Sequence, residues 1–290
     1  MTTDMRLERL RDRLQEEDLD GILISSAENR RYLSGFTGSA GHLLISADEA
    51  VLATDFRYVE QGGKQAPGFR VERTGREPWL PRISAELGLK RIGFESDQVT
   101  VSDHGALQKS LEETKAAGRP ELVPTTSLVD RLRAVKEESE LKLLTRAVII
   151  ADKAMDRVAP TIEPGATEGE VAWELEKAMR ERGAEAISFD VIVGAGPNGA
   201  LPHHRADSTV IKAGDAVAID MGATYEGYCS DLTRTFIVGE PDDTFKRVYD
   251  TVLRAQLAAE ERVTAGSTGG EADAIARDII VEAGYGDEFG

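Results

Sequence analysis

The sequence predicts an α+β protein in two parts, a mixed-sheet domain over residues 1–125 and a second α+β domain over 126–290. Three observations carry that reading. Strand and helix signals alternate over the first 125 residues, a long antiparallel hairpin occupies 214–238, and a helix pattern in the second part recurs 101 residues later.

In the first part, Met5, Leu7, Leu10 and Leu14 mark one face of a short amphipathic helix that ends near Gly21. Gly21-Ile-Leu-Ile follows as a buried strand. His42–Ser46 and Val51–Thr54 flank Ala47-Asp-Glu-Ala, which reads as a hairpin. Phe69–Arg73 and Arg91–Glu95 read as strands, Trp79–Leu87 and Val101–Glu113 as helices, and Leu122-Val-Pro as a last edge strand. Such alternation builds an α/β or α+β domain around a mixed sheet. No catalytic constellation stands out in it.

The boundary falls at Pro124-Thr-Thr-Ser-Leu, where a helical stretch begins. Lys136–Ala159 carries Leu141, Leu144, Val148, Ala151 and Met155 at three- and four-residue spacing, and Ile162-Glu-Pro-Gly ends it. Thr167-Glu-Gly-Glu170 is a capping box, whose hydroxyl and carboxylate satisfy free amides at a helix start. That helix runs to Gly183. Gly165, Thr167, Gly169, Glu170 and Gly183 then reappear as Gly266, Thr268, Gly270, Glu271 and Gly284, each 101 residues on. Arg146, Ala154 and Ile162 line up in the same way with Arg247, Ala255 and Val263. Two ordinary helices would explain the capping boxes but not the matched distance to the closing glycine. The reading is a duplicated helix–turn–helix–strand unit. After Gly284 the second copy has only Tyr-Gly-Asp-Glu-Phe-Gly, so the expectation is a chain whose second half lacks its sheet.

Composition narrows the partners. Hydrophobic residues at 41% and charged residues at 30% describe a globular chain. Thirty-five Lys and Arg against 52 Asp and Glu give a net charge of −17, a field that repels phosphate backbones and anionic lipid. Neither nucleic acid nor a membrane surface is an expected partner. Cys229 is the single cysteine, which excludes an intramolecular disulfide and a cysteine zinc cluster. The N-terminus MTTDMRLERLRDRLQEED lacks the apolar core of a signal peptide, and no apolar run approaches the ~18 residues of a membrane span. The expectation is a soluble, cytoplasmic protein.

Candidate chemistry lies between residues 187 and 238. Ile187–Val193 reads as a strand, and Gly194-Ala-Gly-Pro-Asn-Gly199 after it matches G-x-G-x-x-G, with Asp220 lying 21 residues beyond. That fingerprint needs a helix start to hold a pyrophosphate. Pro197 and Pro202 fall where its first turns would run, so the dinucleotide reading is rejected. His203 and His204 follow in a loop, where a solvated histidine is an equal alternative to a functional one. Behind them, a hairpin centred between Tyr225 and Glu226 makes Asp220 and Asp231 direct cross-strand partners, with Cβ atoms about 4.5–5.5 Å apart. Flanking apolar residues put both at least half-buried. Carboxylates so placed need a shared proton, an arginine or a cation, and Arg234 points to one side by parity. Oxygen ligands with a histidine suit manganese, cobalt or zinc. Against this, Tyr225-Glu226 is a poor two-residue turn, and a slipped register would turn one aspartate to solvent. The residues alone leave both readings open.

Leu201-Pro-His, Ile219-Asp-Met-Gly and Gly227-Tyr-Cys-Ser-Asp-Leu-Thr-Arg-Thr resemble the Xaa-Pro aminopeptidase and proline dipeptidase branch of the pita-bread metallopeptidases. Arg31-Tyr-Leu-Ser-Gly-Phe-Thr-Gly-Ser-Ala-Gly and Thr54-Asp-Phe-Arg-Tyr are similar to the creatinase-like, non-catalytic N-terminal domain of that branch. The resemblance covers essentially the whole chain. It implies a creatinase-like domain over 1–125 and a pita-bread domain over 126–290. It also implies an exopeptidase acting on Xaa-Pro peptides, a homodimer, and two divalent ions, manganese first, with cobalt or zinc as alternatives. By the same resemblance Asp231 bridges the two ions and Asp220 holds one. His203 contacts the substrate near the scissile carbonyl, and Phe189 lines the proline pocket unless it is simply a core aromatic. His204 stands where many relatives have glycine and is given no role. In the family mechanism a hydroxide between ions ~3.5–4 Å apart attacks the carbonyl, and the ions and the histidine stabilise the oxyanion. The family pattern continues past its Gly-Tyr-Gly-Asp segment into a histidine motif and metal-binding glutamates, whereas this sequence ends at Gly290. The 290 residues alone are therefore expected to be inactive. A non-catalytic binding protein on the same fold and a metal-free hydrolase of the creatinase kind are the other readings. The paired aspartates weigh against both.

Overall fold

The strand signals of residues 21–125 assemble into one six-stranded mixed sheet in the computed structural model, which describes residues 3–113 and 119–290. Its strands are β1 (Gly21–Ile24), β2 (His42–Ser46), β3 (Ala50–Thr54), β4 (Arg70–Arg73), β5 (Arg91–Glu95) and β6 (Glu121–Thr125), in the order β4-β3-β2-β1-β5-β6. β2 runs antiparallel to β1 and β3, and the remaining neighbours are parallel. Alternate residues on a strand point to opposite faces, and both faces are apolar here. Ile22, Ile24, Leu43, Ile45 and Leu52 pack with Leu7, Leu10 and Leu14 of α1 (Thr3–Glu16). Leu23, Leu44, Val51, Ile92 and Phe94 pack on the other side with Leu80 and Ile83 of α4 (Trp79–Glu86) and Leu111 of α5 (Val101–Glu113). Two short helices were not expected from the sequence, α2 (Ala27–Ser34) and α3 (Val59–Gln65).

The chain divides into two compact units, Met1–Lys142 and Leu143–Gly290. The expected boundary at 125/126 lies before α6 (Leu128–Ala134), which gives Val129 to the core of α1. Arg6 also donates to both carboxylate oxygens of Glu137, at 3.0 and 3.1 Å. Packing thus keeps residues 126–142 with the first unit.

In the second unit the core is built by α7 (Glu138–Val158) and α8 (Glu168–Glu181) against a sheet. Ile150, Ala151, Ala154 and Met155 of α7, and Val171, Leu175 and Met179 of α8, pack on Val193, Val217, Ile219 and Met221. Two three-stranded sheets are present, of order β11-β10-β7 and β12-β9-β8. Their strands are β7 (Ala186–Ile187), β8 (Ile192–Ala195), β9 (Ala216–Met221), β10 (Ala223–Tyr225), β11 (Tyr228–Cys229) and β12 (Leu232–Ile237). The single strand expected over 187–193 is therefore two strands in different sheets. Between them the Ser188 amide donates to the Gly222 carbonyl at 2.9 Å and its hydroxyl to the Ser230 carbonyl at 2.9 Å. A 3-10 turn at Gly196–Ala200 follows β8, in place of the helix that dinucleotide binding requires.

The hairpin turn differs from the expected one. Tyr225 pairs with Tyr228, so the two-residue turn is Glu226-Gly227, with φ of 44° and 77°. Positive φ at both positions matches the twist of a hairpin, and glycine supplies one of them without strain. The centre moves by one residue, and every cross-strand partner by two. Asp220 faces Thr233 and not Asp231. Where β9 passes into β10, Gly222 lies so close to the other strand that a Cβ would stand 2.0 Å from the Ser230 carbonyl oxygen.

The repeat is structural. α9 (Asp243–Arg262) precedes α10 (Gly269–Glu282), and α10 has the same bounds as α8 shifted by 101 residues. Both start on complete capping boxes, Thr167 with Glu170 and Thr268 with Glu271. The closing glycines, Gly183 and Gly284, have φ of 100° and 88°. No helix among the described residues is long and apolar enough to cross a membrane.

Gly222→Ala is expected to cost about 1–3 kcal/mol, the range for forcing atoms into a filled site. Urea denaturation measures it, and an unchanged midpoint would contradict the close approach described.

Candidate active site

β9 sorts its residues by face. Val217, Ile219 and Met221 are buried under the helices, while Asp220 looks the other way and is half-buried. Asp220 lies between Ile192 of β8 and Thr233 of β12, and the Thr233 hydroxyl donates to its Oδ1 at 2.9 Å. Asp231 precedes Thr233 by two residues, so parity puts it on the same face, as the diagonal neighbour of Asp220. The pair survives the register shift because the shift is even. The expectation that both are at least half-buried fails for Asp231, which is exposed. Arg234 pairs with Ile219 and so falls on the opposite face, where its guanidinium donates to the Thr233 carbonyl at 2.7 Å.

Phe189, His203, Asp220 and Asp231, the four residues singled out from the sequence, line one cleft of about 390 Å³. Asp190, Ile192, His204 and Arg205 complete its wall. Phe189 is half-buried and His203 exposed. Burial pushes the Asp220 carboxyl above its ordinary value, and the charge of Asp231 and a hydrogen bond with it push the same way. The Thr233 hydroxyl opposes that rise. Among the described residues no lysine or arginine forms an ion pair with either aspartate; Arg205 lies 4.0 Å from Asp190 instead. Two adjacent carboxylates with no ion-paired lysine or arginine among the described residues, beside an open histidine, form a donor set that fits a hard or borderline divalent cation.

A second group was missed by sequence reasoning. Glu168, wholly buried at the first position of α8, accepts from the Ala195 amide at 2.8 Å, Asn198 Nδ2 at 3.0 Å and His204 Nε2 at 2.6 Å. His204, given no role from the sequence, is thus held inside the wall of the cleft. The available signal was the repeat itself, because Glu168 corresponds to Gly269 in the second copy.

Residues 142–290 match the model of metallopeptidase family M24, and residues 6–135 match the Creatinase/Prolidase N-terminal domain. The chain belongs to metallopeptidase family M24. It is 42% identical over 290 residues to the uncharacterized peptidase YqhT of Bacillus subtilis, an alignment covering 99% of this chain and 80% of that protein. It is 35% identical over 285 residues to a Xaa-Pro dipeptidase of Pyrococcus horikoshii, covering 98% and 78%. The solved structure of a Xaa-Pro dipeptidase from Bacillus anthracis superposes with a TM-score of 0.93 at 44% identity, over 99% of this chain and 79% of that one. This M24 protein accordingly has a creatinase-type N-terminal domain followed by the pita-bread fold, and it is of the metallopeptidase class, which uses divalent metal.

In protein kept free of metal, Asp220→Asn is expected to stabilise the fold at neutral pH by up to about 1 kcal/mol, the scale of a partly exposed charge interaction. The folded-state pKa of Asp220 is raised above the ordinary 3.8, so the native state holds its proton more tightly than the unfolded chain does. The wild type therefore recovers stability from this group as pH falls through the raised value, and the advantage of the Asn variant fades there. Chemical denaturation at neutral and acidic pH tests this; an Asn variant less stable at neutral pH would contradict it.

Proposed function

We propose that this M24 protein is an exopeptidase that hydrolyses Xaa-Pro bonds in proline-containing peptides with two divalent ions, manganese foremost and cobalt or zinc as alternatives. The observation that carries the reading is the meeting of Asp220, Asp231, His203 and Phe189 in one cleft. The Xaa-Pro dipeptidases among its relatives support the substrate class.

Asp220 and Asp231 would hold the metal, and Thr233 fixes the Asp220 carboxylate through its hydroxyl, as outer partners of metal ligands do. When bound, the metal supplies a water acidic enough to ionise near neutral pH and polarises the scissile carbonyl. His203, exposed in the wall, donates a hydrogen bond to the carbonyl oxygen as negative charge develops on it. Phe189 and Ile192 offer apolar surface to the proline ring. Two carboxylates by themselves would hold manganese weakly. A homodimer belongs to the same reading and rests on the resemblance.

The test is hydrolysis of a Xaa-Pro dipeptide by a preparation that turns it over with manganese. Asp231→Ala should lower kcat by more than about 100-fold, the upper reach of changes to outer partners of ligands. Metal-dependent turnover that survives the substitution would remove Asp231 from the centre.

A further inference from the structure

We propose that Glu168 and His204 are positioning residues that aim His203 into the cleft, an inference that rests on the peptidase reading above. A buried carboxylate is costly unless it is fully hydrogen-bonded, so its partners show what it is for. Glu168 is not needed to start its helix. Thr167 and Glu170 cap α8, and the same pair caps α10 with glycine at the position of Glu168.

Its side chain grips the loop that carries His203. Oε1 takes the Ala195 amide at 2.8 Å and Asn198 Nδ2 at 3.0 Å, where the loop begins. Oε2 takes His204 Nε2 at 2.6 Å. The backbone of the same helix turn holds the other end, with the Glu168 amide donating to the Thr209 carbonyl at 3.1 Å and the Gly169 amide to the Asp207 carbonyl at 2.8 Å. The loop is thus fastened before, beside and after His203. Among the described residues the His203 side chain makes no hydrogen bond of its own, so its direction follows from the backbone that His204 anchors.

A carboxylate only accepts, so with Glu168 ionised His204 Nε2 is the donor of this bond. Glu168, His204 and Asp207 also bring ligand-type atoms within 4.8 Å of one another. A metal among them is the poorer reading. Two ligands about 2.1 Å from a tetrahedral ion stand about 3.4 Å apart, whereas Glu168 and His204 are 2.6 Å apart, the distance of a direct hydrogen bond. Asp207 Oδ1 already accepts the Thr209 amide at 2.7 Å.

The experiment measures turnover in the manganese-dependent preparation for His204→Ala, His204→Gln, His203→Ala and the double alanine variant. His204→Ala should lower kcat about 10- to 100-fold, as loss of an orienting partner does, with KM little changed and Tm lowered because a Glu168 oxygen is left buried without its partner. The glutamine amide reaches where Nε2 does, so His204→Gln should recover most of the loss. On the His203→Ala background, His204→Ala should cost nothing more. An equal further loss there, or an unchanged kcat in the single variant, would overturn the proposal. A second readout needs no turnover: long-range ¹H–¹⁵N spectra of the four histidines in the 290-residue chain. His204→Ala should displace the His203 ring signals and leave those of His42 and His104. Unmoved His203 signals would also overturn the proposal. If those signals move but His203→Ala leaves kcat unchanged, the anchoring stands and the peptidase role given to His203 fails.

Discussion

The site depends on the register between β9 and β12. A strand sends successive side chains to opposite faces, so a hairpin loop of one residue more or fewer would carry Asp231 to the face of Met221, inside the core. Two local features hold the register. Glu226-Gly227 accepts positive φ at both turn positions, and Gly222 permits the Ser230 carbonyl to come where no side chain fits. Ser230 closes the arrangement, since its hydroxyl accepts the Ala223 amide at 3.0 Å while its carbonyl accepts the Ser188 hydroxyl at 2.9 Å. Asp231 follows directly and inherits its direction from that knot.

With the register set, the two faces of β9 do opposite work. The apolar face, buried under α7 and α8, supplies the free energy of folding. The carboxylate face gives some of it back, because Asp220 loses water and feels Asp231, and among the described residues no lysine or arginine forms an ion pair with either. A fold selected for stability alone would replace one of the two, since like charges on neighbouring positions destabilise a sheet. Their retention on one wall makes sense if a cation offsets the repulsion when the site is loaded. The unfavourable term in the metal-free protein is then a favourable one for binding.

Most of the fold was legible because burial imposes simple periods. The mixed sheet, the helices on both of its faces and the duplicated helix pair follow from apolar spacing and glycine placement. α2 and α3 escaped because they are short; α2 is defined by Ser26 accepting the Asn29 amide and by Gly35 at φ 80°, not by an apolar stripe. The break between β7 and β8 escaped because nothing in the apolar pattern marks it, although Ile187 pairs with Ala223 in one sheet and Ile192 with Asp220 in the other. The symmetry of the two aspartates points to a turn at Tyr225-Glu226, one residue before the turn that forms. Glu226-Gly227, with its glycine, is the better two-residue turn on chemical grounds. Parity protected the conclusion: the four candidate residues meet in one cleft although one contact between them was drawn wrongly.

Duplication separates what the scaffold requires from what the site requires. α8 and α10 share length, capping box and closing glycine, so those features serve the helix in either setting. Glu168 and Gly269 occupy equivalent positions and have opposite surroundings. Glu168 is wholly buried with its oxygens occupied, while Gly269 is exposed with nothing near the place of a Cβ. A residue that one copy buries at electrostatic cost, and the other omits without loss of the helix, is not there for the helix. Its hydrogen bonds lead instead to the loop of His203, and the same comparison explains why the sequence concealed it. In a single sequence the capping box accounts for Thr167 and Glu170 completely, and Glu168 between them looks like an ordinary first-turn acid favoured by the helix dipole. Only the three-dimensional setting shows that its charge is turned inward, toward the loop and away from solvent.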